Sequence, residues 1–268
     1  MNPASNYTFL SRALVIAVLL INVPAQAQAV PEEFPQELPT RTNQDGSARW
    51  GAGFGVGIDR KVYRDFDNDL SALPIVMVES RHVSFFGTTF DYKLPQSGQL
   101  SLRVRARYSD DGYEAKDSPF LSGMEKRKGG LWLGGAAVWQ SGLTRVSGEA
   151  LAATGDAEGK RVKIELSRGF KRGNLTLTPR IAATWYDDKY VDYYYGVRNG
   201  EVRAGRAAYQ GEAATNAELG LRLGHAIGRR HHVFVDVSSS TSGNGIKDST
   251  IVDRSRESSV RLGYLYAF

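Results

Sequence analysis

Residues 258–268 read SSVRLGYLYAF. Val260, Leu262, Tyr264, Tyr266 and Phe268 fall on one side of an extended chain, and Ser259, Arg261, Gly263, Leu265 and Ala267 fall on the other. A repeat of two is the signature of a β-strand, because successive side chains point to opposite faces. One face is apolar and aromatic to its last residue, and the other is small or charged. Two architectures accommodate such a strand. In a sandwich the apolar face meets a second sheet. In a membrane-spanning barrel it meets lipid, the other face meets the lumen, and aromatic residues gather at the interface.

The remaining chain favours the barrel. In 98–108, Leu100, Leu102, Val104, Ala106 and Tyr108 alternate with Gln99, Ser101, Arg103, Arg105 and Arg107. In 50–60, Trp50, Ala52, Phe54, Val56 and Ile58 alternate with glycines. The same period recurs over 129–140, 143–152, 160–170, 174–187, 213–226 and 231–239. Pro179 lies in one of these strands and predicts a bulge or kink, because proline cannot donate to a ladder. Connections alternate in length. Those at 141–142, 171–173 and 228–230 are tight, and those at 110–128, 188–212 and 240–257 are long and polar. Outer-membrane barrels have short periplasmic turns and long extracellular loops. Counting back from a periplasmic carboxyl terminus, every tight turn lands on the periplasmic side. With both ends periplasmic the strand number is even. Reading 73–94 as one bent strand gives about ten, and splitting it with a further strand near Tyr193 gives twelve. The expectation is an all-β, antiparallel transmembrane barrel over 50–268.

The amino terminus fits export. Arg12 precedes an apolar run over 13–23 that is too short to span a bilayer, and Ala25-Gln26-Ala27 has the small-x-small pattern of a cleavage site. Residues 1–27 are expected to be a signal peptide, and 28–49, with Pro31, Pro35 and Pro39, a flexible periplasmic lead-in. The expected location is the Gram-negative outer membrane, with membrane lipid as the surroundings of a monomer. The chain has no cysteine, so no disulfide framework exists. Its formal charge of +5 is read as lumenal charge, since export removes the chain from nucleic acid.

Inward positions carry Arg103, Arg105, Arg107, Arg145, Arg161, Lys163, Arg180, Arg222 and Arg261 against Glu149, Glu165, Glu218 and Asp236. An open lumen of that composition would lean toward anions, and a narrow one would be filled by an ion-paired network. Arg103, Arg105, Arg107, Arg161, Lys163, Arg180 and Arg222 are the candidate pore lining. The four histidines fall near turns or in the uncertain second strand, and neither GxSxG nor HExxH occurs. The expectation is therefore a protein that is not an enzyme, with no catalytic, cofactor or metal residue nominated. Asp187, Asp188 and Asp192 suggest at most a weak cation site. Tyr190, Tyr193, Tyr194, Tyr195 and Tyr209 crowd the longest loop, as a ligand platform or as a loop folded onto the barrel mouth.

Tyr194-Tyr195-Gly196-Val197, followed by Gly205 and Ala208-Tyr209, resembles the signature of the MipA/OmpV family of outer-membrane proteins. The glycine-alternating first strand, Leu73-Pro74 and the terminal Phe268 fit the same pattern. Arg198 stands where the family has a small hydroxyl residue, and Val202 and Ala204 replace the commoner Ala and Ser. Tyr264, Tyr266 and Phe268 resemble the signal read by the barrel assembly machinery. The resemblance implies a scaffold that joins a lytic transglycosylase to a penicillin-binding protein during peptidoglycan growth. A small pore or solute-binding barrel is the alternative from a different class.

Overall fold

The structure is a computed structural model describing residues 48–268 apart from Asp156. The signal-peptide reading, and all but the end of the lead-in, lie outside the described residues. The chain opens with β1 (Arg49–Arg60), β2 (Asp69–Glu79), β3 (Val83–Phe86), β4 (Thr89–Lys93), β5 (Leu100–Ser109) and β6 (Gly130–Ser141). It continues with β7 (Thr144–Thr154), β8 (Lys160–Arg168), β9 (Phe170–Arg172) and β10 (Leu175–Tyr186). Helix α1 (Asp188–Tyr195) precedes β11 (Ala214–Ile227) and β12 (His231–Thr241), and the short α2 (Asn244–Lys247) precedes β13 (Arg256–Ala267). No described helix is long and apolar enough to cross a membrane, which says nothing of crossing by strands.

All the strands form one antiparallel sheet that closes on itself. Each strand pairs with the next, and β1 closes the ring on β13 with Gly51 opposite Ala267 and Arg60 opposite Ser258. Closure removes every free edge that such a pairing satisfies, which a membrane-spanning sheet requires. Thirteen strand segments make twelve staves, because β8 and β9 are one strand with a single break.

Twelve is reached by a different route from the one expected. Residues 73–94 do not form one bent strand. They supply most of β2 and all of the hairpin β3–β4, which turns at Gly87 with φ of 57°. The Tyr193 region adds no strand and folds as α1 instead. Its reason is local. Asp187 caps the helix by accepting from the Tyr190 N–H, and the segment that follows lacks the period of two.

Pro179 produces no bulge. Arg180 stands opposite Ser167 and Leu177 opposite Phe170, so the register runs unshifted past the proline. The break falls on the partner strand, between Arg168 and Phe170, where the missing proline N–H leaves the ladder one donor short. Pro74 is placed similarly. The Gly87 N–H donates to the Val76 carbonyl, so even positions of β2 turn their backbone toward β3. β3 ends at Phe86, opposite Met77, and Pro74 lies beyond that end. A proline there has no ladder bond to lose.

The tight turns hold Gly142 and Gly228 at φ of 60° and 67°, a left-handed backbone that favours glycine. These turns lie at one end of the barrel and the long connections at the other, while the β3–β4 turn at Gly87 points toward the long connections from part-way up the wall. The outward face is an apolar band that includes Phe54, Leu70, Val104, Leu133, Ile164, Ile181, Leu219 and Val260, all exposed. In water such a surface would be unstable, and in a bilayer it is the solvent contact.

Candidate functional site

The barrel interior is layered. At the periplasmic end Ile75, Met77, Phe86, Phe234 and Leu265 form an apolar floor. Gly263 makes room for it, since a Cβ there would lie 2.2 Å from the Phe234 ring. Above the floor lies a belt of charge, and above that an aromatic cap built from the extracellular loops.

The belt consists of linked ion pairs. The Arg105 guanidinium forms two bonds to Asp91, from Nε to Oδ1 at 2.7 Å and from Nη2 to Oδ2 at 2.8 Å. Arg103 donates to the same carboxylate at 3.0 Å. Glu149 accepts from Arg105 and, at 2.8 Å and 3.0 Å, from Arg107. Across the lumen, Arg180 donates to Asp236 at 2.8 Å and 3.0 Å and to Glu218 at 3.0 Å. Arg222 reaches Asp236 at 3.2 Å and stacks over Phe234 at 4.4 Å. Lys163 lies 3.5 Å from Glu218, and Arg261 donates to Asp59 at 2.9 Å. Arg161 lies 4.7 Å above the Trp132 ring, where belt and cap meet. Charge-assisted, bidentate pairs of this kind hold their geometry better than single contacts. Removing one member would strand a buried charge.

Arg103, Arg105, Arg107, Arg161, Lys163, Arg180 and Arg222 are thus all inward. They fall into two groups rather than one ladder, β4 and β7 supplying carboxylates to the first and β11 and β12 to the second, while Arg161 pairs with Asp111 of the β5–β6 connection at 3.7 Å. Sequence reading missed Asp91 and Asp59. Asp91 is fully buried and holds two arginines, Arg103 and Arg105, on its own side of the barrel. Its signal is present in 89–93, where Phe90 and Tyr92 alternate with Asp91, but five residues are too few to stand out.

The cap has a core of its own. Val62, Tyr63, Phe66, Tyr113, Leu121, Trp132, Tyr190, Val191, Tyr194, Tyr195, Ile246 and Ile251 pack together, drawn from four outer connections and the strand ends beneath. Tyr186 and Tyr190 stack at 4.2 Å, Tyr63 and Tyr195 at 5.4 Å. Tyr194 donates to the Lys128 carbonyl at 3.2 Å. In the motif region, Val197 and Tyr209 exchange backbone bonds at 2.8 Å and 3.1 Å, and Tyr209 donates from its hydroxyl to the Gly245 carbonyl. Gly196 follows α1 directly beneath Asp192, where a Cβ would lie 2.3 Å from the Asp192 carbonyl oxygen. Gly205 turns with φ of 81°.

Glu201 ties two loops together. It accepts from the backbone N–H of Glu125 and Arg198 and, on both carboxylate oxygens, from Nη2 of Arg127, each at 2.9 Å. Burial alone would raise its carboxyl, but these donors outweigh burial and hold it below the usual glutamate range. Arg206 donates to the carbonyls of Glu201, Phe120 and Ser122. Tyr63, Tyr113 and Tyr195 are pushed up by burial and stay neutral. The aspartates of the suggested cation site do not converge. Asp187 caps α1 and accepts from Lys160, while Asp192 accepts from Gly211.

Between belt and cap lies a cavity of about 150 Å³. Arg107, Arg161, Arg180 and Glu218 line its base, and Tyr63 and Tyr195 its roof. Among the described residues, seven basic and seven acidic side chains border it, so its fixed charge favours neither sign.

At the barrel seam Phe268 stacks on Trp50 at 4.1 Å and donates its N–H to the Trp50 carbonyl. Tyr264 packs against Phe54, and its hydroxyl lies 2.7 Å from Nδ1 of His231. Tyr266 accepts from Arg230 at 3.0 Å. The residues that resemble an assembly signal are those that close the barrel.

A family model described as MltA-interacting protein MipA matches residues 51–268. The chain is 26% identical over 227 residues to the MltA-interacting protein of Escherichia coli K12, covering 82% of this chain and 90% of that one. It is 26% identical over 205 residues to outer membrane protein OmpV of Vibrio cholerae, covering 76% of this chain and 74% of that one. Among solved structures it is similar to the NanC porin, at 9% identity and a TM-score of 0.41 over 82% of this chain and 98% of that one.

Proposed function

The chain belongs to the MltA-interacting protein MipA family, and from that premise we propose that it is a non-enzymatic outer-membrane anchor for peptidoglycan-remodelling enzymes. The partners under this reading are a lytic transglycosylase and a penicillin-binding protein. The name of the Escherichia coli relative supports the first of these. The observation that carries the reading is the filled interior. A belt of linked ion pairs under a packed aromatic cap suits a plugged anchor better than a route for solute. Partner contact then comes from the periplasmic side, through 28–49 and the tight turns, which face that compartment under this reading.

The test is co-purification of a lytic transglycosylase with the assembled barrel, with and without residues 28–47. Retention by the full chain and loss on deletion support the anchor and place its contact in that segment. Failure of the full chain to retain either enzyme class removes the anchor reading. The cavity favours a second reading, a barrel that holds a small solute beneath its cap. Neutralising Arg107 and Arg161 would then abolish solute binding without affecting enzyme retention.

A further inference from the structure

The outward-facing strand positions carry five Lys or Arg residues and no acid among the described residues, with Arg60, at the mouth, also bordering the cavity. Arg60, Lys160 and Arg256 stand at the extracellular ends of their strands. Arg168 and Arg172 stand at the periplasmic end, both on the strand formed by β8 and β9. They flank Phe170, which is outward and 53% exposed, and Arg168 lies 5.7 Å over its ring. Neither arginine has an acidic partner among the described residues.

Their surroundings are apolar on the membrane side and basic on the periplasmic side. Arg172 stands opposite Leu175, which stands opposite His225 on β11. Phe170 stands opposite Leu177. The next turn brings Arg229 and Arg230, both exposed, to the same end of the wall. No Asp or Glu occurs in 166–177 or 223–235. Arg168 is the informative residue. It sits one strand step inside Phe170, opposite Thr144 at the start of β7, where the exposed apolar wall begins. An arginine there needs a counter-charge and finds none among the described residues.

We propose that Arg168 and Arg172, with Arg229 and Arg230 beside them, form a binding site for the phosphate of an anionic phospholipid of the inner leaflet. The acyl chains lie along Phe170, Leu175 and Leu177. The guanidinium fork suits a phosphate, and the flanking apolar residues suit the chains attached to it. An acidic protein or a peptidoglycan carboxylate would meet Arg229 and Arg230 from the periplasm. Neither would sit beside Phe170 at the level of Arg168.

The test uses the full-length barrel reconstituted in phosphatidylcholine with a minor fraction of phosphatidylglycerol bearing a photoreactive group near its headgroup. Cross-linked peptides are mapped by mass spectrometry. The expected result is labelling concentrated in 160–180 and 223–233, absent with a phosphatidylcholine probe. It should fall about 25-fold in the Arg168→Gln/Arg172→Gln double variant, since each basic side chain at an anionic surface contributes roughly a fivefold factor. An Arg60→Gln/Lys160→Gln variant should keep the labelling, and heat-modifiable migration reports that each variant folds. Equal labelling by both probes would overturn the site. So would labelling spread evenly round the wall, or labelling unchanged in the folded double variant.

Discussion

At the scale of single residues, the lumen is shaped by glycines that face arginines. Gly220 lies across from Arg180, and a Cβ at Gly220 would stand 2.3 Å from the Arg180 Cζ. A free guanidinium would move aside. This one is held by Asp236 and Glu218, so moving it breaks bonds that buried carboxylates require. Gly220→Ala should therefore destabilise the barrel by about 1–3 kcal/mol, the usual cost of overpacking a filled interior. Urea-dependent loss of the heat-modifiable band measures it. A midpoint equal to that of the unaltered protein would show that Arg180 is loosely held.

At the scale of elements, two prolines and one loop clamp define the architecture. Pro179 and Pro74 both lie inside strands, where a paired N–H is normally required. Each turns its missing donor toward a place where the ladder stops, one at the break between β8 and β9 and one beyond the end of β3. The clamp is Glu201, which binds the loop at 118–129 to that at 196–209. Its carboxyl is held below the ordinary glutamate value, so its contribution is complete above that value. It is lost as the pH falls from about 4 through the lower value of the folded state. Hydrogen exchange, corrected for the intrinsic effect of pH, should show both loops loosening together in acid while the strands stay protected. Glu201→Gln should loosen them already at neutral pH and remove most of the further change. Equal protection of the two proteins at neutral pH would show that the cap does not depend on this carboxylate.

At the scale of the whole molecule, three layers fill a twelve-stranded barrel that would otherwise have room for water. The floor is apolar, the belt is charged and the cap is aromatic. Eight staves leave a lumen that side chains fill, and sixteen leave a channel. Twelve lie between, so the contents decide. The expected outcome in a planar bilayer is silence, with no stable steps proportional to salt. Regular steps would show that belt and cap open, and the balanced charge of the cavity predicts little ion preference in them.

Alternation in 98–108 and 258–268, the alternating connection lengths and the parity of the strand count established an antiparallel barrel and which of its faces meets lipid. These are properties of successive residues, and a period of two needs no partner to be visible. The tyrosines of 190–209 were legible as either platform or plug, because composition does not say what a loop folds against. Only tertiary structure placed α1 across the mouth, beside 61–68, 110–129 and 242–255. Only tertiary structure divided the arginines between Asp91 with Glu149 and Asp236 with Glu218. Pairing depends on which strands become neighbours and in what register, and closure of β1 on β13 fixes both at once.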